Sequence, residues 1–368
     1  MADREALRLP GLGNLLLTGV RPLIAIGLAF LVGAVMILAA GANPLEAYAA
    51  LLSGALVGVA SISNTAVRMA PLLLGGLGIG LGFKAGVLNV GIEGQIYAGG
   101  AAAAAIGLIP LPVPAWIHVT LAVLAGFLGG ALWGFIPAYL RAYRNVNEIV
   151  TTLMMNYVGI YFVSFLVHTG PMAEKDAFYP MSPPLMPSSH LPILIKGTSL
   201  HTGIVMALVL AIVAHFVLQY TPFGFRTRMV GANPDAARYA GLNVGRQIFL
   251  VMLVSAGFGG LAGAGEVLGL KLRLFDFFAS GVGYDSIAVA LMAAGNPLGI
   301  ILSAVFFGGL KAGANRMQIV VGIETHMASV IQALAVLFVI AIGFTGQARA
   351  RRKKEKQEPT IQRGGAYD

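Results

Sequence analysis

The 368-residue chain is 57% hydrophobic and only 11% charged, with a mean hydropathy of +0.82, which excludes an ordinary soluble domain. It has no cysteine, which excludes disulfides, thiolate metal sites and cysteine nucleophiles. The net charge of +9 does not mark a nucleic-acid binder, because the basic residues gather in a C-terminal tail (Arg349, Arg351, Arg352, Lys353, Lys354, Lys356, Arg363) and in one loop (Arg226, Arg228, Arg238, Arg246), as the positive-inside rule expects of cytoplasmic segments.

The strand alternation of an outer-membrane barrel is absent, so the fold class is all-α and polytopic. Residues 1–21 read as a cytoplasmic N-terminal segment. No small-residue cleavage site closely follows the first apolar run, so the first span reads as uncleaved. Pro22 to Ala40 is long enough to cross a bilayer, and Asn43-Pro44 breaks it. Residues 45–67 read as helix at the outer interface, with a short crossing as the alternative. Met69 to Phe83 is a short, glycine-rich apolar run that ends at Lys84.

Next comes the stretch around which the chain is organised, KAGVLNVGIEGQIYA, residues 84–98. It holds Asn89, Glu93 and Gln95 among small and apolar neighbours, with Gly86, Gly91 and Gly94 spaced through it and Gly99 just after it. Polar groups at membrane depth are costly unless they line a cavity or meet partners, and glycines let the backbone bend and approach. The stretch is therefore a translocation-path candidate; the alternative is a turn at the membrane surface. Ile96 to Ile109 continues as helix, three prolines mark a turn, and Trp116 to Leu140 spans. A second polar constellation follows at residues 145–156. Asn147, Glu148 and Thr151 fall close together on a helix, with Asn156 two turns further on. Asn145 or Asn147 also reads as a helix cap, with Glu148 near the positive end of the dipole.

Val150 to Val167 spans. Residues 168–201 form a long connection without positive excess, which places it outside, and its scattered histidines do not read as a metal site. Thr202 to Gln219 crosses back. Residues 221–246 form a cytoplasmic loop in which Asn233-Pro234 starts a short helix and Gly241 ends it. Such a helix suits docking to a soluble partner; the alternative is a connector held to lipid headgroups. Ile248 to Leu268 crosses outward. Residues 281–297, with Asp285, loosely echo the first polar stretch. Pro297 to Ala314 and Met327 to Phe344 complete about ten spans. Residues 346–368 form a basic cytoplasmic tail, so both termini lie inside. The echo suggests a 5+5 inverted repeat, about five crossings in each half. Small-xxx-small pairs such as Gly126–Gly130 and Gly259–Gly263 suit close helix packing.

No P-loop, H-E-x-x-H or G-x-S-x-G sequence occurs, so no enzyme class is indicated. An ion-coupled carrier using Glu93, Glu148, Glu266 or Asp285 stays open on physics alone. Four ordered segments then decide the comparison: GFKAGVLNVGIEGQ (82–95), NVNEIVTTLMMNYV (145–158), GANPDAARYAGLNV (231–244) and GYDSIAVALMAAGNPLG (283–299). Together they resemble the inner-membrane permeases of bacterial ABC importers for simple sugars, nucleosides and branched-chain amino acids. The second segment looks most like the nucleoside-uptake subgroup. The resemblance covers residues 22–345 and implies a permease domain in the bacterial cytoplasmic membrane. It implies a second related permease subunit, a cytoplasmic ABC ATPase that uses ATP, and an extracytoplasmic binding protein that delivers a nucleoside or sugar. No cofactor is expected on this chain itself. Gly231, Asn233, Pro234, Ala237, Arg238 and Gly241 would form the element that couples to the ATPase. The stretches around Asn89 and Asn156 would lie near the path.

Overall fold

The computed structural model describes the backbone of residues 12–175 and 177–355, and the side chains of 24–175 and 177–342. Residues 1–11 of the expected N-terminal segment, 356–368 of the expected tail, and Asp176 of the outer connection lie outside the described residues. The described residues form helices α1 (Leu12–Ala39), α2 (Pro44–Leu56), α3 (Val59–Lys84), α4 (Ile92–Gly107), α5 (Ala115–Trp133), α6 (Phe135–Arg144) and α7 (Glu148–His168). They continue through α8 (Gly203–Tyr220), α9 (Pro222–Ala232), α10 (Pro234–Tyr239), α11 (Val244–Gly265), α12 (Val282–Met292), α13 (Pro297–Val321) and α14 (His326–Glu355). A π turn over Glu266–Lys271 extends α11. Among the described residues there is no strand, only two isolated bridges, Met181 of the outer connection to Phe275 before α12, and Ile193 to His201 within that connection.

Local chemistry explains the helix starts. Three Asn-Pro pairs open helices, at Asn43, Asn233 and Asn296, and each Asn side chain accepts a hydrogen bond from a first-turn amide. Proline at the first helical position loses nothing, because its missing N–H would have no partner there. Asn147 and Asn243 cap α7 and α11 in the same way. Asn145 instead ends α6 in the left-handed conformation.

Six helices among the described residues are long and apolar enough to cross a membrane: Val59–Lys84, Ala115–Arg144, Glu148–His168, Gly203–Tyr220, Val244–Lys271 and Pro297–Val321. Shorter apolar helices cover Ile24–Ala39, Val282–Met292 and His326–Ile342. The expected division at residue 68 fails. Residues 59–84 are one helix running through Pro71, and of the stretch 45–67 only residues up to Leu56 form the separate helix α2. Ser61, Ser63, Asn64 and Arg68 gave that stretch the polarity of an interface. Ser63 and Thr65 are in fact buried, and the Thr65 hydroxyl donates to the carbonyl of Ala55 in α2 at 2.7 Å.

Two packing relations place the polar segments. Helix α11 packs on α4 and α5, while α3 packs on α12 and α13. The first contact is built on glycine. Gly99 of α4 meets the backbone of Gly260 in α11, and Gly126 and Gly130 of α5 close on the same residue, so that a Cβ at Gly99, Gly130 or Gly260 would overlap backbone and one at Gly126 would overlap the Ala264 methyl group. Lipid supplies no hydrophobic drive between helices, so such backbone approach, with its dense dispersion contact, is what joins them. A smaller apolar cluster of Ile37, Ala47, Leu51, Leu310 and Met317 joins α1 and α2 to α13.

Candidate functional site

The two polar stretches singled out in the sequence meet. Helix α3 ends at Lys84, Gly86 takes φ +75°, and irregular backbone leads to α4 at Ile92. Backbone away from water needs its polar groups satisfied. Helix α7 supplies partners on a single stripe spaced by four. Glu148 Oε1 accepts from Leu88 N at 3.4 Å, Thr152 Oγ1 from Val90 N at 3.3 Å, and Asn156 Oδ1 from Gly94 N at 2.8 Å. The Asn156 amide group also donates to Val90 O at 2.9 Å and to the Tyr284 hydroxyl at 3.4 Å. Glu148 is ion-paired to Arg141 Nε at 3.1 Å, with the N–H aimed off the hydrogen-bonding direction.

This stripe differs from the face expected around Asn147 and Thr151. Asn147 is exposed and caps the helix, and the Thr151 hydroxyl donates back to its own helix carbonyls. Sequence reading missed Thr152. The four-residue spacing from Glu148 to Asn156, which passes through it, was the available signal.

Asn89 and Gln95 face each other inside the bend. Asn89 Nδ2 donates to Gln95 Oε1 at 3.0 Å and to Ser255 Oγ of α11 at 2.9 Å, while its Oδ1 accepts from Gly91 N at 2.9 Å. Glu93 reaches further. Its two carboxylate oxygens accept from Gly281 N at 2.8 Å and Gly283 N at 2.6 Å, the amides that open α12. One carboxylate thus lies in the first turn of its own helix and caps another, where both helix dipoles favour negative charge. The fit leaves no spare room: a Cβ at Gly283 would overlap the Glu93 backbone. Asn89, Glu93, Gln95 and Asn156 are all at most 2% exposed.

Asp285 lies apart from this cluster. It is ion-paired with Lys311 of α13, and Gln332 of α14 donates to it at 3.2 Å. Lys311 also escaped the sequence reading, although a lysine within the apolar run 297–321 is the signal that intramembrane charge provides.

Helix α12 meets a cavity at each of its ends. One, of about 680 Å³ and mostly apolar, meets its C-terminal end at Leu291, Met292 and Ala294, with Gly86, Leu88 and Glu148 opposite. The other, of about 320 Å³, meets its N-terminal end at Val282.

The residues read as a coupling element also come together. Gly231 ends α9 against the Lys84 carbonyl, so closely that a Cβ there would overlap it. Asn233 caps α10 through Asp235 N and Ala236 N, both at 3.0 Å, and Pro234 takes the first position. Ala237 is buried, Gly241 turns the chain at φ +79°, and exposed Arg238 pairs with Asp235 at 3.1 Å. Tyr239, 94% exposed, stands beside them.

The family described as branched-chain amino acid transport system / permease component matches residues 61–341. The chain is 35% identical to the guanosine ABC transporter permease protein NupP of Bacillus subtilis, over 86% of this chain and 92% of the relative. It is 32% identical to the nucleoside ABC transporter permease protein NupB of Lactococcus lactis, over 88% and 90%. It is 31% identical to the glucose ABC transporter permease protein TsgB13 of Haloferax volcanii, over 88% and 87%. No solved structure matches the chain. Similarity of this extent, with the apolar helices that carry it, leads to one conclusion: the chain belongs to the branched-chain amino acid transport system / permease component family of ABC-transporter permeases, and is a multi-pass membrane transport component rather than an enzyme.

Proposed function

We propose that the chain is the permease subunit of an ATP-driven importer of nucleosides. Its near full-length similarity to the guanosine and nucleoside permeases carries this reading. ATP is used by a cytoplasmic ATPase that docks on α9 and α10, a second related permease completes the pore, and an external binding protein delivers the solute. Both termini lie in the cytoplasm, and about ten crossings arise when the shorter apolar helices and α4 are counted. The exchanged packing of α3 on α12 and α13, and of α11 on α4 and α5, supports the 5+5 inverted repeat.

The mechanism follows from the contacts. Movement of α9 and α10 acts on the bend at Lys84–Gly86 through Gly231. The bend carries Asn89 and the start of α4, and Glu93 passes the displacement to α12. Because α12 meets a cavity at each end, its displacement changes access to both, opening one side as it closes the other. Asn89, Glu93, Gln95, Glu148 and Asn156 hold this gate rather than select solute; selectivity lies with the binding protein.

Uptake of labelled guanosine in cells with and without the ATPase tests the proposal, with unlabelled adenosine and ribose as competitors. ATPase-dependent uptake displaced by adenosine is expected. Displacement by ribose alone changes the cargo to a sugar, the reading that the similarity to the glucose permease favours. Uptake that persists without the ATPase overturns the mechanism in favour of an ion-coupled carrier.

A further inference from the structure

Several charged side chains take no part in the Asn89–Glu93 cluster, and they converge on the smaller cavity. Its polar lining comprises Asn64 and Arg68 of α3, Glu266 and Lys271 of the π turn, Ser280 before α12, and Lys311 of α13. Phe278 adds a ring to its wall. A volume of about 320 Å³ lies at the small end of ligand sites, which run from about 300 to 1,000 Å³.

Two of these groups, Glu266 and Arg68, are left with unused hydrogen-bonding capacity. Glu266 feels the charges of Lys271, Arg68 and Lys311, yet among the described residues its carboxylate makes no ion pair and accepts no hydrogen bond. Arg68 Nε is buried without a partner. Polar groups left without a hydrogen-bond partner are expensive between apolar helices, and they persist where something else satisfies them. The π turn that presents Glu266 and Lys271 is a geometry frequent at functional positions.

The arrangement also restricts the ligand. Arg68, Lys271 and Lys311 supply donors only, and Lys311 already serves Asp285. Glu266 as a carboxylate supplies acceptors only. An inorganic anion would set like charge against Glu266, and one without an O–H group, such as sulfate, would give it no donor. A neutral solute with several hydroxyl groups gives donors to Glu266 and acceptors to Arg68 and Lys271 together.

We propose that this cavity is a binding subsite for a neutral, polyhydroxylated solute of nucleoside or monosaccharide size, with Glu266 accepting from its hydroxyl groups and Arg68 and Lys271 donating to its oxygens. The assignment rests on the transport reading above and adds a place for the cargo within a single permease chain. Ser280 precedes Gly281, whose amide Glu93 holds, so the subsite shares a wall with the gate.

The chain has no cysteine, so Ser280→Cys introduces a single thiol. Its rate of modification by a small water-soluble thiol reagent is measured on the full chain in lipid nanodiscs, with guanosine, ribose or inorganic phosphate present. Asn64→Cys is a second reporter in the cavity, and Ser199→Cys, on the exposed outer connection, is the control. Guanosine or ribose at ten times its Kd is expected to slow both reporters about tenfold by mass action, leaving Ser199→Cys unchanged. Adding Glu266→Gln is expected to abolish that protection while the thiols stay reactive.

Reactive thiols that neither guanosine nor ribose protects would overturn the subsite. So would protection by phosphate alone, or protection that survives Glu266→Gln. If guanosine uptake depends on the ATPase while both reporters stay unprotected, the subsite falls and the transport reading stands. If the reporters are protected but uptake ignores the ATPase, the subsite stands and the ATP-driven reading falls.

Discussion

Glu93 shows how one side chain ties two helices together. Its oxygens take the two amides that open α12, and a helix start buried without such acceptors leaves N–H groups unpaired at about 1–3 kcal/mol each. Glu93→Ala is therefore expected to lower the melting temperature of the purified chain clearly and to cut uptake at least tenfold, with Glu93→Gln between it and the native protein. A Glu93→Ala chain that melts and transports normally would remove the gate assignment. His201, in the outer connection, makes a separate prediction. Its Nδ1 accepts from Gly203 N at 3.2 Å, and burial against Gly203 and Gly269 holds the imidazole below its ordinary value. The folded form keeps His201 neutral, whereas the unfolded segment takes up a proton near the usual value of about 6.5. Stability is therefore full above that pH and falls as the pH drops through it. Hydrogen exchange at the start of α8, corrected for intrinsic rate, should accelerate between pH 7.5 and 5.5, and His201→Gln should flatten the difference. Neither contact was legible in sequence, because Glu93 and Gly281 lie 188 positions apart and His201 is one of six scattered histidines.

At the scale of elements, the contact of α9 with the end of α3 carries the coupling. Gly231→Ala places a methyl group on the Lys84 carbonyl, so it is expected to shift the bend and lower uptake while the chain still inserts. Arg238→Glu separates docking from folding. Arg238 is exposed and paired only with Asp235 among the described residues, so the variant should keep its melting temperature to within about 0.5 kcal/mol of stability. It is nevertheless expected to abolish uptake and co-purification of the ATPase. Normal uptake in both variants would remove α9 and α10 from the mechanism. These elements were readable because their signals are local: Asn233-Pro234 starts α10 and Gly241 ends it, as expected. The Glu148–Thr152–Asn156 stripe was only half readable. Helical spacing puts three side chains on one face, but not which face meets the irregular backbone of residues 88–94.

For the whole molecule, the cysteine-free chain offers a direct test of orientation. Ser199→Cys should react with an impermeant thiol reagent from outside intact cells, and Asn145→Cys only after permeabilisation, if α7 runs outward from the cytoplasm. Labelling of Asn145→Cys in intact cells would reverse the orientation. The sequence by itself determined that this is a helical membrane transport protein without catalytic motifs, where most helices start, and which loop suits a partner. Composition, hydropathy runs, Asn-Pro starts and charge bias are local properties, and they survive in any fold that buries the same spans. Only the tertiary structure decided that Glu93 holds α12, that Gly99, Gly126, Gly130 and Gly260 bring three helices into backbone contact, and that Arg68, Glu266, Lys271 and Lys311 share one cavity. The physical reason is that a buried hydrogen bond or close approach depends on which helices become neighbours, and in lipid that choice rests on shape and on polar partners distant in the chain.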